Sequence, residues 1–156
     1  MDWITITRAL HLIAIVHWIG GLAMVTLVIL PGIMRMPQER KLETFLAIEE
    51  RFAGQAKVSV TVAGLTGLYM VHGLVAWERF LDPGYWWMHA MVLVWAIFTF
   101  MLFAAEPLFL HAKVARMAER DPAATFSLML RAHRILLALA TVTVGGAALG
   151  AHGMLI

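Results

Sequence analysis

The residues best equipped for chemistry are seven histidines, all in or beside long apolar stretches. Ionisable side chains inside a bilayer are costly and mark functional positions. At a helical rise of about 1.5 Å per residue, His11, His72, His89 and His152 each fall within roughly two turns of the same membrane boundary, one from each of four apolar stretches. Imidazoles from facing helices at one depth are what a bis-histidine haem requires, so these four are the candidate ligands of a haem b, two to a haem, with the pairing open and His11 the first of them. Arg8 precedes His11 by one turn and Arg79 follows His72, and both suit haem propionates at the water boundary. His17 lies nearer mid-membrane, in register with Gly20, Gly21 and Met24, while His111 and His133 approach the opposite boundary.

The helical period groups each histidine with neighbours. Thr61, Leu65 and Leu68 share a stripe with His72; Thr141, Gly145 and Ala148 share one with His152; Ala96, Phe100 and Phe103 align with His89. Small residues on such stripes are expected to leave room for a flat macrocycle. A competing site uses sulfur: Met70, Met88 and Met154 lie beside His72, His89 and His152, and a thioether and imidazole layer suits Cu(I). Glu106, before Pro107, is the one acid at the lower end of a span and a candidate proton relay or a kinked, water-facing helix end.

These side chains need a membrane-embedded frame. Of 156 residues, 62% are hydrophobic and 14% charged, more apolar surface than a water-soluble chain of this size could hide. A bilayer core of about 30 Å takes roughly 20 helical residues, and four charge-free runs approach that length. They predict helices over about 7–30, 55–77, 84–110 and 122–153. The expected fold is a single all-α domain, an integral membrane four-helix bundle running up-down-up-down. Leu42, Phe45, Leu46 and Phe52 fall on one face of a short amphipathic segment, about 38–52, expected to lie along the cytoplasmic interface. Pro31-Gly32 is expected to end the first helix, and Asp82-Pro83 and Asp121-Pro122 to begin the third and fourth. Tyr85, Trp86 and Trp87 form an aromatic belt, and Gly146 with Gly150, like Gly64 and Gly67, predict close helix contacts.

Charge sets the orientation. Arg35, Arg40, Lys41, Arg51 and Lys57 follow the first span, and Lys113, Arg116, Arg120, Arg131 and Arg134 follow the third, whereas the other side carries only Arg8 and Arg79. Cytoplasmic loops collect Lys and Arg, so both termini are expected in the periplasm of a bacterial inner membrane. The first span, lacking a basic leader and running well past a signal peptide's apolar length, is read as retained. No nucleic-acid, nucleotide, hydrolase or zincin motif occurs, and the lack of cysteine excludes disulfides and thiolate chemistry.

The opening RALHLIAIVHWIGGLAMVTLVILPGI, with a histidine one turn into the helix, then Trp-x-Gly-Gly and a later proline, resembles the copper-resistance D (CopD)-like membrane proteins and the related HemJ-type protoporphyrinogen oxidases. ERFAGQAKVSVTVAGLTGLYM, where Arg-Phe precedes the second helix and Thr-Gly lies late in it, adds to the likeness, which extends loosely over all four helices. The HemJ resemblance implies a haem on the helix-one histidine, matching His11, and a functional lysine early in helix three, where this chain reads WWMHAMVLVW. The CopD resemblance implies a role in copper handling at the inner membrane. The leading expectation is a haem-b electron-transfer protein, a membrane oxidoreductase or cytochrome b-type subunit. It would act between a quinone or periplasmic partner and another redox centre, alone or within a larger respiratory complex. A copper-binding or transport protein and a porphyrinogen oxidase are the alternatives.

Overall fold

The computed structural model describes residues 2–154, apart from the side chains of residues 109–111. Its described residues are helical almost throughout, with no strand. Helix α1, Trp3–Met24, passes through a π-helical turn, Val25–Ile29, into α2, Leu30–Met34. Asp2 caps α1 by accepting from the amides of Ile4 and Thr5. Pro31 therefore does not end the first helix. Proline lacks an N–H and clashes with the carbonyl four residues back, and the wider π turn just before it absorbs that misfit.

After Pro37, helix α3 runs unbroken for 36 residues, Gln38–Gly73. The amphipathic segment expected to lie apart along the interface is the first half of this helix. Its apolar face has a partner already: Phe45 packs with Leu30, Ile33, Phe126 and Leu130, and Phe45 meets Phe126 edge-on at 6.0 Å. Two short 3₁₀ turns, Trp77–Leu81 and Pro83–Tyr85, lead to α4, Trp86–Phe100. Asp82 accepts from Gly84 N at 2.8 Å and caps the second of these turns. A ten-residue π-helical stretch, Met101–Leu110, contains Pro107 and continues into α5, His111–Arg120. Helix α6, Pro122–Ala151, starts where the sequence predicts, with Asp121 accepting from Ala124 N at 2.9 Å and proline in the first turn.

Three helical stretches are long and apolar enough to cross a membrane: Trp3–Met34, Pro83–Leu108 and Pro122–Ala151. Helix α3 is the exception, because its first twenty residues are rich in charge and its apolar part includes Ser59, Thr61, Thr66 and His72.

Close contacts fix how the long helices neighbour one another. Along α1 and α3, Gly73 faces Ile4, Gly67 faces His11 and Gly21 faces Phe52, so the two run antiparallel. Trp95 of α4 lies over Gly64 of α3 and donates Nε1–H to Val60 O at 3.0 Å. Trp86 and Trp87 of α4 lie against Gly146 and Gly150 of α6. Between them a core of Trp18, Leu22, Val60, Ala63, Phe98 and Ala140 joins all four helices, with Trp18 and Phe98 edge-to-face at 4.9 Å.

Candidate functional site

His11 is the one predicted ligand held between packed helices. Its ring lies against Gly67, where a side chain would bring Cβ within 3.3 Å of Cε1, so glycine is what lets the imidazole sit this close to α3. His11 Nδ1 lies 2.9 Å from Thr66 Oγ1. The Thr66 hydroxyl has a single proton, which it gives to Val62 O at 2.6 Å. In that arrangement its oxygen is left to accept from His11, the tautomer with the proton on Nδ1 and the Nε2 lone pair free. Orienting an imidazole through one nitrogen while the other stays unprotonated is how proteins prepare a metal ligand.

Three more histidines share this device through their own helices: Nδ1 of His17, His133 and His152 lies 3.1, 2.9 and 2.7 Å from the carbonyls of Ile13, Met129 and Ala148. A carbonyl only accepts, so each of these nitrogens also carries the proton.

The structure does not bring His72, His89 and His152 to His11. On α3 the buried positions are Phe45, Ala53, Ala56, Ser59, Val60 and Ala63, whereas Thr61, Leu65, Leu68 and His72 are all exposed. On α4, His89, Ala96 and Phe100 are exposed, as is Phe103 in the π-helical stretch beyond it, and His89 meets Phe80 edge-on at 5.3 Å. On α6, Thr141, Gly145, Ala148 and His152 are likewise exposed, opposite Thr143, Gly146 and Gly150. Among the described residues no three His, Asp or Glu side chains lie close enough to share a metal ion. Arg8 is exposed one turn from His11, and Arg79 lies over the Tyr85 ring at 5.3 Å. The side chain of His111 lies outside the described residues. Of the methionines considered for copper, Met88 is buried, Met70 half-buried and Met154 exposed.

The haem that the resemblance implies can be tested against this interior. A macrocycle gripped between facing core histidines does not fit. The stripes expected to leave room for it, with Thr61, Gly145 and Ala148, are exposed outside the packed interior, and the interior itself is filled by indoles: a Cβ at Gly64 would come within 2.6 Å of Trp95, one at Gly146 within 2.6 Å of Trp86, and Trp87 crowds Gly150 still more closely. What does fit is a single prepared ligand, His11, at the edge of the α1 and α3 seam.

A second constellation was only half visible in the sequence. Lys57 Nζ of α3 meets Glu106 Oε1 at 3.2 Å. Glu106 sits in the π-helical stretch, is 8% exposed, and its Oε2 is buried without a hydrogen-bond partner. Beside the pair opens a cleft of about 650 Å³ lined by Leu46, Glu50, Gly54, Lys57, Glu106, Ala112 and Ala115. Glu106 stands out in the sequence as a lone acid; its pairing with a lysine 49 positions away does not.

Comparison of the chain with family models, with curated proteins and with solved structures finds no match to any of them.

Proposed function

We propose that this chain is a four-span protein of the bacterial inner membrane, similar to the CopD and HemJ types, that holds a haem b through His11 near the periplasmic side and serves electron transfer. The four spans run up-down-up-down with both termini periplasmic. Ten basic residues beside the 35–57 and 113–134 regions, against Arg8 and Arg79 opposite, support that orientation. Its partners are a quinone or periplasmic donor on one side and a second redox centre, within or beyond a larger complex, on the other.

The observation that carries the reading is the placement of His11: held between α1 and α3 against Gly67, with Nδ1 2.9 Å from a Thr66 hydroxyl that already donates to Val62 O, an arrangement that leaves Nε2 for a ligand. Thr66 accepts from Nδ1 and sets the ring's orientation, Gly67 lets the ring edge approach α3, and Arg8 places a cation one turn nearer the water for an acidic substituent. A haem bound there supplies one-electron chemistry; the surrounding helices supply an apolar, water-poor setting that tunes its potential.

An absorption spectrum of the detergent-solubilised protein tests this. A Soret band and a reduced α-band should appear in the wild type, vanish in His11→Ala, and persist in His72→Ala, His89→Ala and His152→Ala. Unchanged bands in His11→Ala would reject the assignment. A featureless spectrum with stoichiometric bound copper would replace haem by the copper reading, and turnover of protoporphyrinogen by the pure protein would replace electron transfer by the oxidase reading.

A further inference from the structure

A carboxylate buried at the end of an apolar helical stretch calls for a reason, and the Lys57–Glu106 pair has two features that a simple structural ion pair lacks. The first is an unfinished hydrogen-bond account. One carboxylate oxygen is held by Lys57, while the other is buried with no donor, which in a low-dielectric interior is costly unless something else supplies one. The second is the cleft. Its size, about 650 Å³, lies within the roughly 300–1,000 Å³ typical of small-molecule sites. Gly54 on α3 and Ala112 and Ala115 on α5 present nothing larger than a methyl group, which makes the opening a slot between two helices. It lies where the charged half of α3 gives way to its apolar half, so an apolar molecule dissolved in the membrane could enter it.

We propose that this slot binds the head of a membrane-borne quinone and of its quinol. A flat ring suits the small-residue walls. Its substituent is a hydroxyl in one redox state and a carbonyl in the other, and the charged pair offers a partner for each. Glu106 Oε2 accepts from the quinol hydroxyl; the terminal torsion of a glutamate is soft, so a modest rotation turns that oxygen toward the slot. Lys57 spends one of its three N–H donors on Glu106 and keeps others for a quinone carbonyl. Glu50, the remaining charged residue of the lining, keeps the slot unfavourable to anions. Helix α3 then carries both ends of the system, since nine residues separate Lys57 from Thr66, a rise of about 14 Å. The choice of a quinone rests on the electron-transfer reading; the slot and its unpaired oxygen do not.

The test is calorimetric titration of the full chain, in phosphatidylcholine nanodiscs, with a short-chain benzoquinone and with its reduced form. The wild type should bind both saturably, one per chain. Gly54→Leu, at a position where an added Cβ meets nothing within 4 Å, puts a larger side chain into the slot and should weaken both forms at least about tenfold. Ala112→Leu does the same from the opposite wall and guards against a folding defect in the first variant. Glu106→Gln removes the charged acceptor and should weaken the quinol about tenfold and the quinone distinctly less. Absent saturable binding in the wild type, unaltered binding in both leucine variants, or equal effects of Glu106→Gln on the two forms would each overturn the proposal. The haem spectrum of the same sample reports separately on His11: bands without quinone binding overturn the slot alone, and binding without bands overturns the electron-transfer reading alone.

Discussion

His11 and Thr66 form the smallest unit of the proposed haem site, and their geometry makes a prediction that does not require removing the ligand itself. Thr66→Val keeps the shape of the side chain but takes away the acceptor for the Nδ1 proton, so the imidazole loses both its orientation and the added basicity of Nε2. Loss of such an outer partner typically weakens metal retention by roughly 10–100-fold. Titration of the apoprotein with haem, followed by absorbance, should show a drop of that order, and haem affinity equal to the wild type would remove Thr66 from the site. The place of His11 on the first long apolar helix was legible in the sequence, because an uninterrupted apolar run defines that helix directly. Its facing was not. A membrane helix meets lipid on one side and protein on the other, and both are apolar. The stripes containing His72, His89 and His152 were therefore indistinguishable from core stripes until the buried set, Val60, Val94 and Gly146 among them, was known.

At the scale of the helix pair, the glycines and tryptophans exchange roles relative to the sequence reading. Gly64, Gly146 and Gly150 were legible as points of close approach, and they are; the occupant is an indole from α4 in each case. Gly150→Val should then be far more damaging than Gly145→Val, since Trp87 crowds the first position and nothing lies within 4 Å of the second. Overpacking of this kind costs about 1–3 kcal/mol. A lower melting temperature for Gly150→Val alone, measured in one detergent, would confirm the contact; equal melting of the two variants would contradict it. The start of α6 was legible for the same kind of local reason, since Asp121-Pro122 needs no tertiary partner to cap it. Asp2 gives that logic a pH signature at the other end of the chain. The hydroxyl and amide of Thr5 hold its carboxyl below the ordinary value of 3.8. The cap's contribution is thus complete above the ordinary value and is lost as pH falls through the lowered one. Nuclear magnetic resonance of the Ile4 and Thr5 amides should show the first turn loosening only in acid, and Asp2→Asn, an equally good cap without the charge, should abolish the transition. A transition surviving in Asp2→Asn would assign it elsewhere.

For the whole molecule the open choice is three crossings or four, and it turns on α3. Hydropathy alone selects Trp3–Met34, Pro83–Leu108 and Pro122–Ala151, because polar and small residues dilute the apolar half of α3. Packing argues for a fourth. Gly73 and Gly67 of α3 meet Ile4 and His11 on one side, while Gly64 and Lys57 meet Trp95 and Glu106 on the other. A helix wedged between two spanning helices over that length shares their depth, and its hydroxyls turn to its own carbonyls, Thr61 to Lys57 and Thr66 to Val62, which lowers the cost of placing them in lipid. The chain lacks cysteine, so single thiols can report sidedness without background. With four spans and periplasmic termini, Glu78→Cys and Met154→Cys should react with a membrane-impermeant maleimide from the periplasmic face, and Met36→Cys and Glu119→Cys only after the membrane is opened. If α3 stayed on the cytoplasmic side, the thiol at position 78 would be protected, and every later site would exchange sides: position 119 would label from outside and position 154 would not. Reversal at 78, 119 and 154 together would therefore put the Lys57–Glu106 pair and the His11–Thr66 contact outside any shared membrane layer, and the redox reading of both sites would fall with it.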